Sequence, residues 1–403
     1  MTRLTLGEIS INKGSYGIGA QAVECSPDLP LYLRITDIRD DGTLDLSNPK
    51  SVADPRARDY MLRENDIVFA RTGSSTGRNY FYDPRDGRFA YAGFLIKFSI
   101  NPQLVNPRYI KYYVQSEWYW DWIKSFNSGS TRGNINAKTY ANLPIELPSR
   151  KTQDAIVDIA DSISDKIRIN SQINDHLLEY ARTIFKKWLT STHGNYAPIA
   201  DVAEFNPDNY SPREQWPLVQ YLDTGNITRG IVESYQVIDP QSERLPNRAR
   251  RKITSGDIIY SSVRPVQEHY GLILNPAKNV LVSTGFTVIR ANDRLVCPEL
   301  LYLFLIQDSV TKTLQQIAEQ SVSTYPSIKA DDLGALQFPL PSAKETAELQ
   351  PALKGIFGAI DSNRRESRQL AKLRDTLLPK FMSGEIDASK IDLKQLNGHL
   401  SDY

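Results

Sequence analysis

Thr152 to Leu189 reads TQDAIVDIADSISDKIRINSQINDHLLEYARTIFKKWL, with no proline or glycine to interrupt a helix. Its apolar residues fall at Ile156, Ile159, Ile163, Ile167, Ile173, Leu177, Ala181, Ile184 and Trp188. Steps of three and four put them on one narrow stripe, the seam of a coiled coil. At 1.5 Å per residue such a helix is about 57 Å long, and a stripe of that length needs a partner. Glu345 to Phe381 repeats the pattern with Leu349, Leu353, Ile356, Ile360, Leu370, Leu373, Leu377 and Phe381. Asn170 and Asn363 occupy equivalent seam positions, where a buried asparagine lowers stability but fixes register and partner choice. The two helices are expected to pair with each other. Because a globular segment separates them, an antiparallel pair with one lobe at each end of a rigid rod is the natural arrangement.

The helices belong to a longer duplication, offset by about 190 residues. Leu6-Gly7-Glu8-Ile9 corresponds to Ile199-Ala200-Asp201-Val202, and Tyr32-Leu33 to Tyr221-Leu222. Asp37-Ile38 matches Asn226-Ile227, and Asn65-Asp66-Ile67-Val68-Phe69 matches Gly256-Asp257-Ile258-Ile259-Tyr260. Gly93-Phe94 pairs with Gly285-Phe286, and Asn106-Pro107 with Cys297-Pro298. Leu143 to Ser149 parallels Leu336 to Ser342. The first piece of each half mixes short β-branched and aromatic runs with turn residues. Ile67 to Ala70 and Asp257 to Tyr260 read as strands. Pro107 to Lys124 and Pro298 to Gln316 read as helices opened by proline, which suits a first helical turn. The expected fold is α+β: two duplicated α/β lobes separated by two long helices that form an antiparallel coiled coil. The boundaries are lobe one at 1–147, a helix at 148–191, lobe two at 192–341, a helix at 342–386 and a polar tail at 387–403.

Bulk composition is compatible with this but does not choose a function. A chain of 403 residues is long for one compact core and fits two domains. Hydrophobic residues make up 40% and charged residues 24%, the balance of a soluble globular protein. The amino terminus has no apolar run suited to a signal peptide, and Leu300 to Ile306 is too short to cross a bilayer. Two cysteines, Cys25 and Cys297, provide neither a disulfide framework nor a zinc cage. A cytoplasmic protein with no membrane contact is expected. The net charge of +1 counts mildly against nucleic acid, yet allows local basic surfaces or partners that supply phosphate contacts.

Catalytic chemistry is not evident. The sequence has no Asn-Pro-Pro-Tyr-like adenine methylation motif and no Gly-rich loop ending in Lys-Ser/Thr. Gly14, Gly17 and Gly19 precede no dinucleotide-type βαβ pattern. His176, His193, His269 and His399 lack metal-ligand spacing. The repeated Asp66 and Asp257 read as turn caps beside their strands in preference to catalytic acids. No catalytic residue, cofactor site or metal site is assigned, and activity by this chain alone is not expected.

The order lobe–helix–lobe–helix, with Leu147-Pro148 and Leu340-Pro341 before the helices, resembles the specificity subunits of Type I restriction–modification enzymes. So do Leu373-Arg374-Asp375-Thr376-Leu377-Leu378-Pro379-Lys380 and Met382-Ser383-Gly384-Glu385-Ile386. The resemblance implies that each lobe is a target recognition domain reading one half of a bipartite, asymmetric DNA site. It implies that the helices set the spacing and bind two methyltransferase subunits that hold S-adenosylmethionine. A restriction subunit using ATP and Mg for translocation and cleavage would join through the complex. Two other readings stay open: the specificity subunit of a related two-subunit methylase–nuclease system, and a coiled-coil scaffold whose two modules bind something other than DNA. Divergence between the lobes fits different half-sites, and also fits drift after duplication.

Bases are read by polar and basic side chains, and phosphates are held by basic and hydroxyl groups. After the strand of lobe one, Arg71, Thr72, Ser74, Ser75, Arg78, Asn79 and Tyr80 form a loop suited to DNA, or a solvated hairpin. Its counterpart, Ser261 to Tyr270, contributes Arg264, Gln267, His269 and Tyr270. A second loop offers Ser130, Thr131, Arg132 and Asn134 in lobe one and Ser323, Thr324 and Tyr325 in lobe two; DNA contact and simple loop closure compete there. Arg248, Arg250 and Arg251 belong to the densest basic run, a phosphate grip or a solvated face. Trp118, Tyr119, Trp120 and Trp122 read as packing residues in preference to a base-stacking platform.

Overall fold

The computed structural model describes residues 2–126, 134–192, 195–320 and 326–391. The chain divides into two units, Met1–Ile167 with Arg368–Tyr403, and Arg168–Ser367. Each holds one lobe together with part of both long helices.

The lobe of unit one contains two four-stranded sheets. One runs in the order Ser15–Tyr16, Leu95–Ser99, Asp66–Ala70, Asn79–Phe81, and is antiparallel throughout. The other runs Ala22–Glu24, Lys50–Val52, Leu31–Leu33, Phe89–Tyr91, its last pair being parallel. Thr2–Thr5 pairs antiparallel with Pro144–Leu147, so the start of the lobe closes against the strand that leads into the long helix.

Unit two repeats the antiparallel sheet and the parallel pair, but the fourth strand of its second sheet lies on the opposite edge. Its antiparallel sheet is Ala203–Phe205, Phe286–Ala291, Ile258–Ser261, Tyr270–Leu272. Its second sheet is Gln236–Ile238, Val219–Leu222, Val280–Ser283, Ala249–Lys252, again with a parallel pair, Val219–Leu222 beside Val280–Ser283. Tyr196–Pro198 pairs with Gln337–Pro339 as the closing ribbon.

Strand register corrects the sequence correspondence at one point. Ala70 lies opposite Leu95, and Ser261 lies opposite Phe286. Phe286 is therefore the counterpart of Leu95, and Gly285 that of Phe94. The two loops that follow the central strands likewise match one residue further along, Arg71 with Ser262. A shared Gly-Phe pair misled the alignment because only backbone pairing fixes which face a residue occupies.

The repeated aspartates are turn caps, as expected, and more. Asp66 accepts from the Arg63 amide at 2.9 Å, and Asp257 from the Thr254 amide at 2.7 Å. Both are buried. Each is balanced by a cation on the neighbouring strand, Lys97 at 3.2 Å and Arg290 at 2.7 Å.

The segments read as single proline-opened helices are each broken in two, Pro107–Tyr113 with Glu117–Lys124, and Pro298–Leu305 with Asp308–Gln320. In lobe one the break is made by Ser116, whose hydroxyl caps the second helix by accepting from the Tyr119 amide.

The long helices are Arg150–Ser191 and Ala343–Ser383. The second begins at a capping box, Ser342 with Glu345, and ends at Gly384, whose φ of 78° suits glycine. Their antiparallel pairing is visible within unit two. Trp188 donates to Glu345 at 3.0 Å, whereas Asn170, near the middle of the first helix, donates to Glu366 at 2.7 Å and Ser367 at 3.3 Å. Asn363 donates to Asn174 at 2.9 Å. The two seam asparagines thus form one polar layer.

Along the seam, Ile156, Ile163 and Leu370 are buried in the core of unit one, with Ile167 and Leu377 packed against it. Leu353, Ile356 and Ile360 are buried in the core of unit two, with Leu177, Ile184 and Leu349 beside them. Ile173 departs from the expected stripe and is 43% exposed, because the polar layer turns Asn170 and Asn174 inward.

Each lobe is fastened to the helices by side chains as well as by its core. In unit one Tyr112 donates to Asp161 at 2.5 Å and Arg85 pairs with Asp165 at 3.0 Å. In unit two Asn275 donates to Asp361 at 3.0 Å, and Tyr302 meets Phe357 edge-on. The segment assigned to a polar tail starts differently: Ala388 is buried and Ile391 packs on the core of unit one.

Candidate nucleic-acid interface

In both lobes the central strand ends in a loop that is nailed to a second, distant loop. Thr72 bridges Asn134, and the Ile135 amide donates to the Arg71 carbonyl at 2.9 Å. In lobe two Val263 bridges Ser327, and the Ile328 amide donates to the Ser262 carbonyl at 2.8 Å. The two loops that sequence singled out separately are therefore neighbours, at the same register in each lobe. Beneath the first loop, Tyr119 donates to the Gly77 carbonyl at 2.6 Å and Tyr140 to the Ala70 carbonyl at 2.8 Å. Burial pushes the Tyr119 hydroxyl well above its ordinary pKa, so it stays a donor. The tyrosine of the Trp118–Trp122 cluster thus builds the platform from below.

Burial divides the candidate residues. In lobe one Ser74 and Asn134 are exposed, and Arg71 and Thr72 half-buried. The Arg71 guanidinium lies 5.1 Å from the centre of the Tyr16 ring, a cation–π contact that holds the side chain without neutralising its charge. Ser75, Asn79 and Tyr80 are corrections: all three are buried. Asn79 donates to the Val114 carbonyl at 3.0 Å and accepts from Gln115 at 2.7 Å. Tyr80 donates to Asp86 at 2.8 Å. These groups are spent inside the lobe and cannot reach a duplex.

Arg78 is a brace. It pairs with Asp40 at 2.7 Å and donates to the Ile38 carbonyl at 3.1 Å. His269 occupies the same place in lobe two, with Nδ1 2.6 Å from the Ile227 carbonyl. Both tie the loop to the adjacent hairpin.

In lobe two Arg264 and Gln267 are exposed, whereas Tyr270 is buried and is removed from the candidates. Arg248 and Arg250 are exposed on the strand Ala249–Lys252 and its approach. The Arg248 carbonyl accepts from the Thr284 amide at 2.8 Å, and the next residue, Gly285, accepts from the Ser262 amide at 2.8 Å. Arg248 thus borders the loop platform. Arg250 instead lines a cavity of about 550 Å³ with Tyr210, Trp216 and Arg244. Arg251 is half-buried, and burial lowers its pKa. Ser130, Thr131, Arg132, Ser323, Thr324 and Tyr325 lie outside the described residues.

Two residues beside the platform were missed by sequence reading, Tyr16 and Phe94. They are 42% and 57% exposed. The Phe94 carbonyl accepts from the Arg71 amide at 3.0 Å. Tyr16 arrives from another strand and Phe94 from the turn before Leu95–Ser99, so no local pattern links them to Arg71. Among the described residues no group of three or more His, Cys, Asp or Glu side chains could hold a metal ion. Nor is any described helix long and apolar enough to cross a membrane.

Residues 36–179 match the Type I restriction modification DNA specificity domain. The Type I restriction enzyme HindI specificity subunit of Haemophilus influenzae is 28% identical over 179 residues, covering 44% of this chain and 38% of that subunit. The MjaVIII specificity subunit of Methanocaldococcus jannaschii is 20% identical over 363 residues, 84% of this chain and 82% of the relative. Among solved structures, the Type I restriction–modification S subunit of M. genitalium superposes with a TM-score of 0.51 at 16% identity, covering 94% of this chain and 95% of its own. At that identity the likeness concerns the fold.

Proposed function

We propose that the chain is a specificity subunit of the Type I restriction–modification family, as the match over residues 36–179 and the similarity to the HindI specificity subunit support, and that it reads a bipartite DNA site without catalysing a reaction itself. Each lobe takes one half-site, and the helix pair sets the distance between them. The observation that carries the reading is the twice-built platform: two loops locked at identical register, Thr72 to Asn134 and Val263 to Ser327, bearing different side chains. Matching platforms with unlike surfaces suit one task performed on two different sequences. Recognition of spaced half-sites needs readers held at fixed separation and phase, and a packed helix pair with a polar registering layer provides stiffness that a flexible linker does not.

Arg71 and Arg264 are the base-reading candidates, and Thr72, Ser74, Asn134, Gln267 and Arg248 are placed to contact bases or backbone. Two methyltransferase subunits holding S-adenosylmethionine dock on the helices. Ile169, Ile173 and Tyr180 support this, since they are exposed at helical spacing away from the seam. A restriction subunit with ATP and Mg joins through the assembly. With phosphate contacts shared among subunits, a net charge of +1 is no obstacle.

Genome-wide mapping of methylated adenines in host cells with and without the gene tests the proposal. The expected result is a split motif with a constant gap that disappears with the gene. A methylation pattern indifferent to the gene would refute it.

A further inference from the structure

Gly73 and Arg264 stand at the same position of the duplicated platform. Each follows the bridging residue, Thr72 or Val263, and each has left-handed backbone, with φ of 76° and 47°. Glycine adopts that conformation freely, whereas a side chain crowds the neighbouring carbonyl. Lobe two nevertheless places an arginine there. Residues held in such conformations persist where the surroundings over-determine them, and they cluster at sites that bind or switch.

The surroundings do so here. The Arg264 amide donates to the Pro326 carbonyl at 3.1 Å, its carbonyl accepts from the Gln267 amide at 2.9 Å, and the buried Pro265 follows. None of these bonds uses the guanidinium. The side chain is exposed and, among the described residues, has no hydrogen-bond or ion-pair partner. Arg229, another arginine with positive φ in this lobe, differs in that respect: its Nε donates to Glu268 at 2.6 Å. Arg229 is explained by its partner and Arg264 is not.

Lobe one shows where such a side chain leads. A Cβ added at Gly73 meets no atom of the described residues within 4 Å apart from its chain neighbours, so this position opens away from them. Two positions earlier lobe one carries its own arginine, Arg71 against the Tyr16 ring, without a carboxylate partner among the described residues, where lobe two has Ser262.

We propose that Arg264 is a specificity-determining residue of lobe two, reading a guanine edge in its half-site, and that lobe one reads from Arg71, two positions back in the same loop. The two lobes thus differ in where the reading arginine stands as well as in which base it meets. This rests on the DNA-reading function proposed above. A guanidinium matches guanine O6 and N7 with two parallel hydrogen bonds, which a lysine ammonium cannot reproduce.

The test uses the full-length protein in its host, with R264G and R264K, and reads adenine methylation genome-wide together with the Tm of each purified chain. R264G removes the strain with the side chain, so its Tm is expected to equal or exceed that of wild type. Its methylation motif should lose a guanine preference in one half-site only, with discrimination falling about ten- to hundred-fold, and R264K should behave the same way. Unchanged half-sites in R264G would overturn the proposal, as would a lowered Tm with general loss of methylation, which marks a structural arginine. R264K indistinguishable from wild type would overturn it in favour of a phosphate grip. If the wild-type gene itself directs no split motif, the DNA-reading function fails, independently of Arg264.

Discussion

Asp66 and Asp257 sit at the root of each central strand, buried, with a backbone donor on one side and a cation on the other. A buried carboxylate is tolerated only while such partners remain, since removing one leaves a charge without compensation. Replacing Arg290 with Met is therefore expected to destabilise the protein by about 3 kcal/mol, measured by urea unfolding. A loss below the uncertainty of that measurement would mean that water replaces the guanidinium. Glu299 is the opposite case. It is buried in the first turn of Pro298–Leu305, and burial pushes its carboxyl above its ordinary pKa. The folded state then binds the proton more tightly than the unfolded one. The penalty is absent below the unfolded pKa of about 4.3 and grows as pH rises through the folded value. Glu299→Gln should raise Tm at pH 8 and leave it unchanged at pH 4. Equal Tm values for the two proteins at pH 8 would refute this.

Both long helices were legible in outline because an apolar period is a local property. Their polar layer was legible only in part. The sequence marks Asn170 and Asn363 as seam asparagines, but Glu366, Ser367 and Asn174 join them through the pairing itself. Asn170 is buried and shared among these partners. Asn170→Ala should cost about 1–3 kcal/mol, read from denaturant midpoints, because the buried amide that donates to Glu366 and Ser367 is lost. Asn170→Leu should recover part of that loss by adding apolar contact while loosening the register of the pair. Equal stability of the alanine variant and wild type would show that these hydrogen bonds contribute no net stability.

For the molecule as a whole, the helix pair acts as a ruler if its length sets the gap between half-sites. Inserting a matched heptad in both helices at the Asn170–Glu366 layer lengthens the pair by about 10.5 Å, or about three base pairs at 3.4 Å each. The mapped gap should lengthen accordingly, or methylation should cease where the helical phase no longer fits. An unchanged gap would dismiss the ruler. Under the proposed function, exchanging residues 1–147 for the corresponding lobe of a Type I specificity subunit should change one half of the motif and leave the other as it was.

The sequence by itself determined the duplication, the two helices and the mixed α+β lobes, because the spacing and type of residues along one chain survive without knowledge of neighbours. It made an antiparallel partnership of the helices the natural expectation, and the contacts of Trp188 with Glu345 and of Asn170 with Glu366 decided it. Tertiary structure alone decided which loop residues face outward. Asn79, Tyr80 and Tyr270 look like polar readers in a linear string but are buried, and their partners lie inside the lobes: Val114 and Gln115 for Asn79, Asp86 for Tyr80 and Glu268 for Tyr270. Arg78 and His269 became braces only once the hairpins beyond Ile38 and Ile227 came within reach. Arg71 acquired Tyr16, and Arg264 acquired its strained backbone, through strand register and loop bridging. Burial and hydrogen-bond partnership depend on atoms far away in the chain, and a period along the chain carries no information about them.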